Sequence, residues 1–390
     1  MPDEQLLDFP FKRDSAIEPS PDLLGLRADG PIHKVRLAHG GHAWLVTRYQ
    51  EVRTLLNHPE FGTQYPGTEL TLSSDNLAAG FMFLKDPPEH TRLRRSVTKA
   101  FTARRIAELK VRAESIAGEL VAAMLAKGPG VDVCEDYAYP LPIAIISDLL
   151  GIPDSERHGF RRWADIVLRP SGNGPEEVGG AFADLQAFAV RLVEAKPDGD
   201  DLLSDLASHG PDGLDRIEIS AMAMGLVMAG YVTTASAISH GLLRLFANPE
   251  TLAATAEGRV DFAKLVEELL RLQDEEVGIN RVAQSDVEVC GVLIKRGETV
   301  IASRSAANRD PAEFADPDVI DLTAARNQHL AFGHGVHHCL GAALARMELE
   351  VALRTLLIGI PGLRLAVPFA ELEWSAEGMD VCIERLPVTW

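Results

Sequence analysis

The sequence predicts a mainly helical fold (α+β), a single domain over residues 1–390 with a long helical body and one small β region. Three observations carry this. Proline-free apolar stretches, Asp215–Phe246 and Leu340–Ile358 above all, repeat their hydrophobic residues with a helical period. Strand-like alternation is confined to a short segment ending near Ile301. No linker, repeat or low-complexity tract divides the chain, and 390 residues at 46% hydrophobic content suffice for one large core.

Taken in order, Asp86-Pro87-Pro88-Glu89-His90 reads as a turn into a helix running to about Phe101, because proline suits the first helical turn. His90 and Arg94, four apart, share a face of it. Helices are expected over Ser155–Leu168 and Ala181–Ala195, with the Pro-Ser-Gly-Asn-Gly-Pro run within Arg169–Gly180 as a mobile loop between them. Asp215–Phe246 reads as one buried central helix. Asn248-Pro249-Glu250 supplies an N-cap, a first-turn proline and an early acid for the next helix. Phe262, Leu265, Val266, Leu269 and Leu270 recur at helical spacing, which puts Glu268 and Arg271 together on one face. Val287, Val289, Val292, Ile294, Val300 and Ile301 read as paired strands joined by a turn at Lys295-Arg296-Gly297-Glu298.

A formal net charge of −19 makes nucleic acid and anionic membrane poor partners for the whole molecule. Between Lys85 and Arg112 the sign reverses, with nine basic residues against Asp86, Glu89 and Glu108. This is either a solvated helix face or a docking surface for an acidic partner and an anionic cofactor. Cys134, Cys290, Cys339 and Cys382 are widely scattered, which argues for a reducing compartment rather than a disulfide framework. No run of about 18 uncharged apolar residues is apparent, nor a signal peptide. A soluble, cytoplasmic, monomeric protein is the expectation.

The most informative segment is Phe332-Gly333-His334-Gly335-Val336-His337-His338-Cys339-Leu340-Gly341. Its glycines open backbone conformations closed to other residues, and Cys339 falls at the start of the Leu340–Ile358 helix, where N–H groups and the helix dipole favour a sulfur anion. A small buried cysteine valued for packing is one alternative. Zinc held by His334, His337, His338 and Cys339 is another, though four ligands crowded into six residues are geometrically awkward. Covalent haem attachment is excluded, since no Cys-x-x-Cys-His occurs.

Together these pieces resemble the cytochrome P-450 family of haem-thiolate monooxygenases. The Cys loop carries the resemblance, with Phe332, Gly333, Gly335, His337, Cys339 and Gly341 at the family's signature positions. Glu268-Leu269-Leu270-Arg271, about 70 residues before the loop, matches the family's structural Glu-x-x-Arg pair. The resemblance implies the P-450 fold, with haem b (iron protoporphyrin IX) buried between the central helix and the Cys-loop helix and Cys339 as the iron's axial ligand. It implies that His90, Arg94, Arg281 and His337 meet the haem propionates. Ala229-Gly230-Tyr231-Val232-Thr233-Thr234 resembles the oxygen-activation segment, with Ala229 and Gly230 beside the iron and Thr233, followed by Thr234, supplying the hydroxyl group. Substrate-pocket walls are implied at Thr63–Phe83, Arg169–Gly180, Val232, Val277, Asn280 and Met379.

Two departures stand out. Most relatives place an acid immediately before the threonine, where this chain has Val232. Relatives with Asp-Leu-Thr-Arg before His-Leu-Ala-Phe-Gly have arginine where this chain has Ala324, with Arg326 two residues on. The implied function is hydroxylation or epoxidation of a hydrophobic small molecule in natural-product biosynthesis (a polyketide, terpenoid or peptide). Molecular oxygen would be the oxidant, and a separate ferredoxin with its reductase would supply electrons, since the chain ends at Trp390 without a flavin module. Two alternatives stay open: a non-insertion oxidation, suggested by Val232, and a non-catalytic haem-thiolate sensor.

Overall fold

Helical periodicity decides most of the architecture, seen in a computed structural model that describes residues 6–38, 40–65, 72–168, 173–195, 201–209, 214–274, 278–324, 326–375 and 381–390. The spine is helix Arg216–Gly230, an interruption at Tyr231, and helix Val232–Phe246. Asp215 and Glu218 start it as a capping box, each side chain accepting from the other's backbone N–H. Where the sequence suggests one helix, the chain breaks at Tyr231, whose ψ of −77° leaves the helical range. The stretch Arg216–Phe246 is long and apolar enough to cross a membrane by composition, which corrects the expectation that no such run exists. Yet 78% of its apolar window is buried inside the protein, as in a core helix.

Against the second half of the spine packs helix Ala342–Gly359, as expected from the Ala/Leu-rich tail of the Cys loop, and on that helix packs Ala103–Lys127, which the sequence reading does not anticipate. The latter buries Leu109, Ala113, Ile116, Ala117, Val121 and Met124 at three- and four-residue spacing, and Thr102 accepts from Arg105 N–H at its start. The predicted helix after Asp86 appears as Glu89–Val97 followed by a 3₁₀ turn, Thr98–Phe101. Helix Asp154–Leu168 matches its expected range. Its successor begins at Pro175 rather than Ala181, because proline at the first position and Glu176 and Glu177 in the first turn favour a helix N-terminus. The expected loop is thereby shortened, and 169–172 lie outside the described residues. Asn248 occupies the N-cap of Pro249–Ala256, but its side chain donates back to Arg244 O at 2.9 Å instead of capping.

The β region is larger than expected. Six strands run in the order Asp8–Phe9, Ile32–Leu37, His42–Val46, Thr299–Ala302, Ile279–Ala283, Phe61–Gly62. Val287–Val289 does pair with Val292–Ile294, but the connecting turn is Cys290-Gly291, both at positive φ, as a two-residue hairpin turn requires. The Lys295–Glu298 turn instead leads into Thr299–Ala302, which pairs with Ile279–Ala283 and His42–Val46. Strand alternation in Ile279–Ala283 buries Arg281 and leaves Asn280 exposed.

Candidate active site

The Cys339 loop is held by its own backbone. Gly333 N–H donates to Leu330 O at 2.8 Å and Cys339 N–H to Phe332 O at 2.9 Å, while Leu330 N–H reaches Asn308 Oδ1 at 2.7 Å. Gly335 is required twice over: its φ is +74°, and a Cβ there would lie 2.5 Å from Leu56 O. Gly341 forms the N-cap of Ala342–Gly359, and its N–H bonds the Cys339 sulfur. Cys339 has accessible surface, yet enough protein surrounds it that burial pushes its thiol above the ordinary value, so that surface lines a recess rather than the outer face. The Gly341 N–H and the charges of Arg304, Arg94 and Arg346 act in the opposite direction. The helix start therefore favours an anion but does not by itself produce one. A bound metal cation would, since a coordinating thiol loses its proton. Among the described residues no three His, Cys, Asp or Glu side chains converge as a metal cluster, which removes the zinc arrangement.

Behind the loop sits Glu268–Arg271, 4% and 2% exposed. Arg271 Nε and Nη2 donate to the two Glu268 oxygens at 2.8 Å each. Arg271 also reaches Asn308 O, Pro317 O and Val319 O, while Glu268 accepts from Asp321 N–H at 2.6 Å and Asn327 Nδ2 at 2.8 Å. The pair thus fastens the segment leading to Cys339. Arg326 is exposed, and it is Asn327 that contacts Glu268.

A basic cluster forms beside this frame. His90 and His337 lie with ring centroids 4.2 Å apart, and His90 Nδ1 and His337 Nε2 are buried without a hydrogen-bond partner. Burial, then His337 and Arg94, push the His90 pKa down to about 4. Arg281, buried, donates to Asn280 O, and Arg94 Nη2 donates to His338 O at 2.7 Å. Among the described residues, the carboxylate drawn in is Asp86. His337 Nε2 is 3.7 Å from Asp86 Oδ1, too long for a hydrogen bond but close enough to act electrostatically. Burial works against its charge, but His337 and the Thr63 and Gln64 N–H groups outweigh it, holding the carboxyl below its usual range. The buried Arg281 guanidinium, with half-buried Arg94 and two imidazoles whose buried ring nitrogens lack a partner, offers the charge and donors that an acidic cofactor such as haem, with two propionates, needs; the residues fit that group.

The other opening lies on the spine. Ala229 and Thr233 are exposed on a spine whose other residues here are buried or half-buried, which places a recess against the interruption. Thr233 Oγ1 donates to Ala229 O at 2.7 Å, taking the place of a backbone bond. Gly230 and Val232 are half-buried, and Thr234, only 6% exposed, faces protein instead. Phe83, 42% exposed, leans on Phe81, which packs where Gly225 leaves room on the spine. Val277 and Met379 lie outside the described residues.

Sequence reading missed the shell behind Phe332. Arg346 stands 4.6 Å over the Phe332 ring and is gripped by both Glu267 oxygens at 2.6 and 2.9 Å. His329 Nε2 lies 3.3 Å from the same carboxylate. Burial opposes ionisation of Glu267, but His329 and Arg346 prevail and hold it at about 2. Only the position of Arg346, two helical turns past Cys339, hinted at this. Of the basic run, Lys85, Arg92, Arg104, Arg105, Lys110 and Arg112 are ion-paired within the protein, so much of its charge is already answered.

The sequence profile described as Cytochrome P450 matches residues 262–358, the span holding both Glu268–Arg271 and the Cys339 loop. The chain is 39% identical over 390 residues to nocardicin C N-oxygenase of Nocardia uniformis subsp. tsuyamanensis, covering 98% of each protein. It is 42% identical over 374 residues to mycinamicin IV hydroxylase/epoxidase of Micromonospora griseorubida, covering 94% of each. The solved structure of the mixed-function P450 MycG superposes with a TM-score of 0.89 at 38% identity, over 99% of this chain and 100% of that one. With sequence and fold shared with such proteins over nearly the whole length, this chain belongs to the cytochrome P450 family.

Proposed function

We propose that this cytochrome P450 monooxygenase, a member of a family that binds haem b through a cysteine thiolate, hydroxylates or epoxidises a hydrophobic natural-product intermediate, with Cys339 as axial ligand. The observation that carries the reading is the pair of recessed openings: Cys339 at the start of one buried helix, and Ala229 with Thr233 on the helix packed against it. When bound, haem supplies the oxygen chemistry, and thiolate ligation favours O–O cleavage.

The chain's own residues divide the remaining work. His90, Arg94, Arg281 and His337 orient the cofactor through its propionates. Glu268 and Arg271 keep the Cys339 loop in one geometry. Thr233 has its hydroxyl hydrogen engaged by Ala229 O, which leaves its oxygen lone pairs to hold a water or an incoming proton at the recess. Val232 has no proton to give, so protons arrive through water, Thr233 or a polar group of the substrate. Phe83 and Val232 give the pocket an apolar lining, and Asn280 a polar contact. Electrons come singly from a ferredoxin and its reductase; exposed Arg95 and Lys99 within the basic run support a docking face for an acidic partner.

Two relatives named for N-oxygenation and for hydroxylation with epoxidation agree with oxygen insertion into natural products. Val232 favours a second reading, a ring-forming or desaturating oxidation that dispenses with an acid relay. Product analysis under labelled oxygen separates the two, since label enters the product only by insertion. The primary test is Cys339→Ala, which should abolish the red-shifted carbon monoxide complex of thiolate-bound iron. Its persistence would overturn the assignment. A spectral titration against hydrophobic natural products then identifies the substrate class.

A further inference from the structure

We infer that Tyr231 and Asp165 are a positioning pair that holds the central helix open at Thr233, a role that rests on Thr233 being the hydroxyl that faces the cofactor. The backbone ladder runs normally to Tyr231, whose N–H donates to Val227 O at 3.1 Å, and resumes at Ala235, whose N–H donates to Tyr231 O at 3.1 Å. Tyr231 itself is a bend between helix Arg216–Gly230 and helix Val232–Phe246, so the regular ladder is interrupted at this turn. The opened turn therefore has a cause at or beside Tyr231.

Tyr231 is the residue whose ψ leaves the helical range, and its side chain is tied to another helix. It is 0% exposed, its ring lies edge-on to Tyr139 with centroids 5.9 Å apart, and its hydroxyl donates to Asp165 Oδ1 on helix Asp154–Leu168. A buried phenol must find an acceptor, and Asp165 is itself steadied by Arg161, whose Nε is 3.5 Å from Oδ2. Thr233 bonds back to its own helix, and Val232 has no polar atom with which to hold a turn open. Two residues along a helix amount to about 200° of rotation, so Tyr231 points away from Thr233. It acts through the backbone: keeping the phenol on Asp165 fixes the Tyr231 dihedral, and that dihedral denies Thr233 N–H its ordinary acceptor.

Amide hydrogen exchange on the haem-loaded enzyme tests this with Tyr231→Phe, Asp165→Ala and Asp165→Asn. In Tyr231→Phe and Asp165→Ala the helix should close, so exchange across Val232–Thr234 slows about tenfold, the worth of one recovered backbone hydrogen bond. Exchange in Asp154–Leu168 should rise in the same variants. Asp165→Asn keeps an acceptor oxygen and should restore the wild-type pattern, and the Tyr231→Phe/Asp165→Ala double variant should match either single one. Either single variant reads the same contact if the other fails to fold, and retention of the red-shifted carbon monoxide complex reports an intact fold. Exchange that rises in both segments, or changes in neither, overturns the pair. Thr233→Ala is assayed separately for peroxide released per NADPH: an unchanged value refutes the role of Thr233 in oxygen handling while leaving the exchange result to decide the pair.

Discussion

Replacing Glu268 with Gln changes one atom and should be among the costliest single substitutions in this protein. Four donors converge on the carboxylate, arranged two to each oxygen: Arg271 Nε and Asn327 Nδ2 on Oε1, and Arg271 Nη2 and Asp321 N–H on Oε2. Whichever way the amide is turned, its NH₂ faces two donors, so two charge-assisted hydrogen bonds are lost at ~1.5–3 kcal/mol each. The guanidinium, 2% exposed, is also left without its counter-charge. Breaking a buried pair in this way costs ~3–5 kcal/mol, the same range by a separate route. Unfolding entropy of ~2.1 cal/mol/K per residue, over 390 residues, gives ~0.8 kcal/mol/K, so a loss of about 4 kcal/mol lowers Tm by about 5 °C. Differential scanning calorimetry reads that shift, and the fraction of enzyme showing the red-shifted carbon monoxide complex reads the loop. A variant melting within a degree of wild type with that fraction unchanged would refute the claim that Glu268 fastens the segment before Cys339.

Introducing an acid at Val232→Asp should lower the peroxide released per NADPH by several-fold on a substrate found by spectral titration; an unchanged split between peroxide and product would show the position to be indifferent. His240, 3% exposed with Nε2 2.5 Å from Val381 O, is held at about 4 because burial disfavours its charged form. As pH falls below the ordinary histidine value of ~6.5, the unfolded chain takes up a proton that the folded one refuses until about 4, so stability declines across that window. His240→Gln, which keeps an N–H for Val381 O, should flatten the decline by one proton, ~1.4 kcal/mol per pH unit. Denaturant midpoints measured from pH 7 to pH 4.5 check this, and parallel slopes for the two proteins would refute it.

What the sequence discloses is what short separations determine. Glu268 and Arg271 are three apart on a helix with an apolar stripe, so their pairing is legible; that the pair also gathers Asp321, Asn327, Pro317 and Val319 is not, because those partners sit tens of residues downstream in irregular chain. Glycines in the Cys339 loop announce a backbone under special constraint, but Leu56 as the reason for Gly335 needs the fold. A run of apolar residues from Ile219 to Phe246 reads as one uninterrupted helix, since nothing local reveals that Tyr231 has an acceptor on Asp165, 66 positions away. The β region is underestimated for the same reason: His42–Val46, the antiparallel partner of Ile32–Leu37, pairs on its other edge with Thr299–Ala302, a strand remote in sequence. Helix starts fare unevenly: the spine begins at Asp215 as expected, whereas Asn248 holds its N-cap position without capping and the helix expected from Ala181 begins at Pro175.

The close approach of Gly335 to Leu56 and Asn57 bears on how this enzyme can be recombined with its relatives. A Cβ at 335 would lie 2.5 Å from Leu56 O and 3.0 Å from Asn57 Cα, so the end of helix Tyr49–Leu56 is moulded to the turn that presents Cys339. Chimaeras that take residues near 57 from one parent and residues near 335 from another inherit two halves of a matched surface. Crossovers that keep both from a single parent should retain the thiolate spectrum, and those that separate them should lose it even when the substrate pocket is left whole.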